Sequence, residues 1–220
     1  MCGRFAQVEP LAAIIRIYCI DESRAGEFSR YNIAPGGPVL AVIREGGKRV
    51  LDELLWGLVP PWARDPAEAR KMINARAETV GSKPSFRGAF RSRRCLVPAT
   101  GFYEWKREGR TRVPYFIRPL SGPSFALGGI YEIRESAEGP ELRTCAIITT
   151  PANALMASIH DRMPAILPPA HHDAWIDPAT PPEDVLSLLD PYPPGEMEAY
   201  PVSTLVNSPG NDSPACIAPA

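Results

Sequence analysis

The sequence predicts an α+β fold in which curled β-sheets form a barrel-like core with helices at its periphery. Three observations carry that expectation. Apolar runs of strand length recur along the chain, at residues 39–44, 54–59, 115–117, 125–131 and 144–149. The 26 prolines break the 220 residues into short elements, with no internal repeat and no low-complexity linker. Stretches that read as helix are few and short, which suits helices flanking sheets rather than a helical bundle.

In chain order, residues 11–18 read as a first helix, with Pro10 near the position where proline's missing N–H costs nothing. Residues 31–36 are polar and read as a turn. Residues 39–44 and 49–51 flank Glu45-Gly46-Gly47-Lys48, a hairpin signal, and the apolar run continues over 54–59. The β signals at 115–117, 125–131 and 144–149 follow. Residues 152–157, 168–176 and 182–189 are the remaining helix candidates.

A 45% hydrophobic content is ample for one packed core at this length, so a single domain over residues 1–220 is expected, acting as a monomer. No stretch is apolar enough to span a bilayer, and Arg4 and Glu9 interrupt any signal-peptide pattern. A cytoplasmic protein with no membrane partner is expected. The five cysteines are odd in number and far apart, with no C-x-x-C pair, and histidine occurs three times. No metal is predicted. No G-x-G-x-x-G or Walker loop is present, so no nucleotide or other small-molecule cofactor is expected.

The net charge of −1 conceals segregation along the chain. Residues 1–63 are neutral, 64–118 carry fourteen basic and five acidic side chains, and 132–220 carry three and thirteen. A basic middle segment can form one positive face that binds phosphates locally. Equally, basic and acidic segments can pair with each other in the fold.

Cys2 follows the initiator methionine, which is removed when the next side chain is small. The mature chain would then begin with a free α-amine and a thiol on one residue. Their ordinary pKa values, about 7.7–8.0 and 8.5, leave both partly deprotonated near neutral pH. Such a 1,2-aminothiol condenses with an aldehyde to a Schiff base, which the thiol closes to a thiazolidine. A lone cysteine is otherwise usually an inert small hydrophobe.

Other chemistry-bearing residues lie in polar clusters beside the apolar strands. Glu104, between Tyr103 and Trp105, is a candidate proton shuttle if aromatic packing raises its pKa; alternatively it faces solvent from a strand whose aromatics face the core. His160 has the range for acid–base work, and its neighbour Asp161 could pair with Arg162. Asn74 offers a neutral amide and Arg76 a fork suited to phosphate, though either could cap a turn or sit on the surface. Trp62, in a Pro-rich loop, is a stacking platform for nucleobases or a core residue.

Six motifs stand in order: Met1-Cys2-Gly3-Arg4-Phe5, Tyr31-Asn32-Ile33-Ala34-Pro35, Trp56-Gly57-Leu58-Val59-Pro60, Ile73-Asn74-Ala75-Arg76-Ala77-Glu78-Thr79, Gly101-Phe102-Tyr103-Glu104-Trp105 and Ile159-His160-Asp161-Arg162-Met163-Pro164. Together they resemble the SOS response-associated peptidase (SRAP) family over residues 2 to about 210. The resemblance implies a DNA damage response protein that senses abasic sites in single-stranded DNA. It would shield them as a covalent thiazolidine DNA–protein crosslink, remove its own Met1 and show abasic-site lyase activity. It would be nucleoid-associated when bound to DNA. It implies Cys2 as nucleophile, Asn74 positioning the sugar, Glu104 moving protons and His160 assisting ring opening. Arg4, Arg76 and Arg162 would clamp phosphates, and Trp62 would wedge the flanking bases apart. Residues 206–211 depart from relatives that often carry a lysine there, which puts a DNA contact from that stretch in doubt.

Two other readings compete. A cysteine hydrolase could use Cys2, His160 and Glu104 on other substrates. A non-enzymatic single-strand binding module could stack bases on its aromatics, with Cys2 incidental.

Overall fold

The computed structural model describes residues 2–63, 72–135 and 141–220. Strand β1 (Phe5–Gln7) is followed by helix α1 (Leu11–Ile17), a two-residue strand β2 (Glu22–Ser23) and β3 (Arg30–Ile33). The predicted hairpin is β4 (Pro38–Glu45) and β5 (Lys48–Trp56). Its turn is made by Gly46 and Gly47, with φ of 58° and 81°, the left-handed backbone that tight hairpins demand. β6 (Asn74–Arg76) runs directly into α2 (Ala77–Val80), and α3 (Arg87–Ser92) follows. Then come β7 (Arg94–Ala99), β8 (Gly101–Glu108), β9 (Thr111–Pro119), β10 (Phe125–Arg134) and β11 (Leu142–Pro151). The chain ends through β12 (Arg162–Pro164), α4 (His172–Ile176), α5 (Pro182–Leu186) and β13 (Met197–Pro201).

Five strands close into a ring. β11 pairs with β10, β10 with β7, β7 with β4 and β4 with β5, all antiparallel; β5 returns to β11 through the parallel pairs Leu55 with Thr144 and Trp56 with Cys145. Alternation along the strands sorts the apolar residues. One set, including Ala41, Ile43, Leu54, Trp56, Val97, Leu127 and Ile147, packs together inside the ring. The other, including Leu40, Val42, Leu51, Leu96 and Ile130, is covered by Ile14, Phe90, Trp175 and Ile176 from the helices. With both faces buried, the strands read as continuous apolar runs rather than alternating ones.

A second sheet, ordered β13-β9-β8-β1-β3, lies against the first. Phe5, Ile33, Phe102 and Ile117 join the inner cluster, so this sheet packs on the ring's interior residues. Within this sheet Gly101 leaves room for a side chain of the neighbouring strand: a Cβ there would stand 2.4 Å from Phe116 Cζ. The fold is thus the α+β arrangement of curled sheets with peripheral helices.

Two local expectations are corrected. Residues 31–36, read wholly as a turn, divide: 31–33 belong to β3, with Ile33 paired with Phe5 and buried, and the turn is confined to 34–36, where the Gly37 N–H bonds to the Ala34 carbonyl. Residues 152–157, read as helix, yield only a 3-10 turn at Met156–Ser158. The Asn153 side chain accepts the Met156 N–H at 2.9 Å, and Ala152 bonds back to Asp161, so the local hydrogen bonds do not extend into a helix.

Candidate functional site

Cys2 is fully buried among the inner apolar residues. The Tyr103 N–H bonds to the Arg4 carbonyl at 2.9 Å, tying the N-terminal segment to β8. From the other side Asn74 Nδ2 donates to the Cys2 carbonyl at 2.7 Å. Asn74 is held by parallel pairing of β6 with β11, and the preceding Ile73 carbonyl accepts from Trp56 Nε1 and from the Ile147 N–H, each at 3.0 Å. The Asn74 Oδ1 is buried and has no hydrogen-bond partner among the described residues.

Glu104 is 4% exposed. Alternation on β8 explains its direction: Phe102 belongs to the inner cluster, whereas Tyr103 and Trp105 pack on the opposite face with Phe116 and Val206. The acid therefore shares the face of Phe102 and not that of its aromatic neighbours. The solvent-facing alternative is thereby corrected, and the buried acid lies on the face of Phe102 and not against Tyr103 and Trp105. Burial pushes the Cys2 thiol pKa up, and the negative charge of Glu104 adds to the shift.

β11 also organises the second group. Thr149 pairs with Arg76 on one edge and with Pro164 on the other, and the Arg162 Nη2 donates to the Thr149 carbonyl at 2.6 Å. Arg162 grips both carboxylate oxygens of Glu78, which lowers the Glu78 pKa. The expected partner Asp161 is thereby replaced. Asp161 Oδ1 instead lies 2.9 Å from His160 Nδ1, which is also 3.0 Å from the Arg162 N–H. A neutral ring accepts from Arg162, and a protonated one pairs with Asp161.

Arg4 is committed within the protein. Its Nη1 donates to Asn32 Oδ1 and to the Val206 carbonyl, both at 2.7 Å, and its guanidinium lies 5.9 Å from the Trp105 ring centroid. Arg76 is exposed with no side-chain partner among the described residues. Trp62 is 59% exposed on the loop after Pro60 and Pro61. Met1 lies outside the described residues.

The sequence profile of the family described as SOS response associated peptidase (SRAP) matches residues 1–209. The chain belongs to the SRAP family. It is 48% identical over 221 residues to the abasic site processing protein YoqW of Bacillus subtilis, covering 99% of each. It is similarly 48% identical to YoaM of the same organism, also named an abasic site processing protein, covering 97% of this chain and 96% of the relative. A crystal structure of a Bacteroides thetaiotaomicron protein, 31% identical, superimposes with a TM-score of 0.83 over the whole of both chains.

Within this SRAP chain, the side chains that secure the site were not singled out from the sequence. Asn32 Nδ2 bonds to the carbonyls of Val206, Ser208 and Asn211, and Asp212 accepts the N–H groups of Tyr31 and Asn32. The stretch 206–211 is therefore a strap that holds Arg4 and Asn32. Glu78 and Thr149 fix Arg162. Glu78 carried a faint signal, as the one acid in a strongly basic run. The basic and acidic segments pair in part: Arg93 pairs with Glu132, Arg118 with Glu198 and Arg162 with Glu78, while Arg76, Lys83, Arg87 and Arg91 stay exposed with no carboxylate ion pair among the described residues. Among these residues no group of three or more His, Cys, Asp or Glu could hold a metal, and no helix is long and apolar enough to cross a membrane.

Proposed function

We propose that this protein processes abasic sites in single-stranded DNA, capturing the lesion as a thiazolidine on Cys2 after hydrolysis of the Met1–Cys2 bond. The observation that carries the reading is the half-satisfied amide of Asn74. Its Nδ2 holds the Cys2 carbonyl, and its buried Oδ1 is left to receive a donor from the sugar or the freed amine. The names of relatives at 48% identity support the abasic site as substrate.

The opened deoxyribose presents an aldehyde. The Cys2 α-amine adds to its carbon, and loss of water gives a Schiff base. The sulfur then adds to that carbon as the thiol proton passes to nitrogen, closing the five-membered ring with no further loss. The amine adds first and the sulfur follows; burial and the charge of Glu104 raise the thiol pKa. Glu104 moves protons between water, amine and sugar, and His160 assists ring opening. β-Elimination from the Schiff base supplies lyase activity. Arg76 and Trp62 engage the flanking strand, and Arg4 and Arg162 meet phosphates in competition with the contacts that hold them, Asn32 and the Val206 carbonyl for Arg4 and Glu78 for Arg162. The chain acts as one domain and as a monomer.

Intact-protein mass spectrometry with a single-stranded abasic oligonucleotide tests this. The expected result is a protein lacking Met1 and a denaturation-resistant adduct of protein plus DNA minus one water. Cys2→Ser should lose that adduct. A demethionylated protein without adduct, but with turnover of peptides, would establish the hydrolase instead.

A further inference from the structure

Several cations without a carboxylate partner among the described residues follow one another along one stretch of the chain. Arg76, Lys83, Arg87 and Arg91 follow one another through β6, α2 and α3, and all four are exposed. Arg87 and Arg91 are four residues apart, hence on one face of α3, where like charges repel by a few tenths of a kcal/mol. Their face lines a groove of about 760 Å³ whose other wall is Pro181, Pro182 and Glu183. That groove shares Gly81, Phe90, Pro182 and Glu183 with a second hollow of about 330 Å³, which reaches Ala77, Glu78 and the exposed Leu186. Ala77 directly follows Arg76, and Glu78 carries Arg162. The hollow thus ends at Ala77 and Glu78, next to Arg76 in the chain and at the carboxylate that holds Arg162.

We propose that the groove between α2–α3 and α5 carries the single strand away from the abasic nucleotide, with Arg87 and Arg91 contacting successive phosphates. The reading rests on the proposed function and extends its binding surface. Phe90 and Pro182 in the groove and Leu186 in the adjoining hollow offer apolar surface that suits sugars and bases, and the cationic wall suits the backbone. Glu183 faces the strand from the far wall, which confines the phosphates to the α3 side.

The test is the salt dependence of binding to an undamaged oligothymidylate of roughly 15 nucleotides, near the upper site size of single-strand binding folds. Two phosphate contacts contribute about 1.4 to the slope of log K against log salt. Arg87→Ala/Arg91→Ala should lower the slope by that amount, and Arg87→Lys/Arg91→Lys should keep it. Arg16→Ala, an exposed cation on α1, should leave it unchanged. An alanine pair with the parental slope, or a lysine pair as weak as the alanine pair, would overturn the groove. Adduct formation by the parent protein on a short abasic oligonucleotide is scored alongside. If the parent crosslinks and the slope does not move, the groove alone fails; if the parent forms no adduct, the functional reading fails as well.

Discussion

Gln7 and Asn74 are both carboxamides on three-residue strands, and they are treated in opposite ways. Gln7 is 2% exposed; its Nε2 donates to the Leu40 and Pro98 carbonyls, and its Oε1 accepts the Leu40 N–H. It rivets β1 to the ring, and each of its polar atoms is matched. Asn32 and Asn153 are matched too, through Arg4 and the 206–211 strap in one case and through Met156 and Tyr192 in the other. Asn74 alone of these four uses one end, on the Cys2 carbonyl, and keeps a buried oxygen without a partner among the described residues. A buried acceptor left unmatched costs about 1–3 kcal/mol, so three amides stabilise the fold, while in the function proposed above the fourth keeps its acceptor for a ligand.

The contrast is sharpest if the two roles separate under mutation. Cys2→Ala removes both nucleophiles' partnership and should abolish the heat-stable adduct completely while leaving the fold, which gel analysis after denaturation would read. Residual adduct at the parental level would place the chemistry elsewhere. Gln7→Ala leaves three buried backbone groups unmatched and should cost roughly 2–4 kcal/mol in denaturant unfolding. The crosslinking rate of the folded protein should stay near the parental value. A rate loss without a stability loss would erase the distinction drawn here.

Buried thiols give a smaller effect with a definite sign. Burial pushes the Cys145 thiol up to about 12, and Cys2 and Cys95 are shifted in the same direction. A raised thiol pKa contributes stability that is fully present below the unfolded value near 8.5 and is lost as pH rises toward the folded value. Each such thiol should therefore withdraw about 2 kcal/mol between neutral pH and pH 10. Thermal unfolding across that range should steepen accordingly, and Cys145→Ala should flatten the decline. An equal decline in the variant would contradict the assignment.

Much of this was readable in the sequence. The hairpin at Gly46-Gly47, the long apolar strands and the family resemblance through six motifs all emerged from residue pattern. Closure of the ring did not, because it depends on the pairs Leu55 with Thr144 and Trp56 with Cys145, which join segments some ninety residues apart. Strands β1, β3 and β6 are too short to show a period and exist because neighbours pair with them. The site residues were legible as types, whereas their commitments were not. Nothing in Arg4 or Arg162 reveals that one is held by Asn32 and Val206 and the other by Glu78. The direction of Glu104 required knowing which face of β8 meets the inner cluster.

The most direct measurement is the single-turnover rate of adduct formation by Asn74→Ala at saturating abasic DNA, with unfolding recorded on the same sample. The loss of one hydrogen bond to the Cys2 carbonyl should cost about 1 kcal/mol of stability. The rate should fall on the order of tenfold to a hundredfold, because the reacting groups lose their alignment. A rate equal to that of the parent, whatever the change in stability, would mean that the open oxygen of Asn74 serves no ligand and that the contrast with Gln7 carries no chemistry.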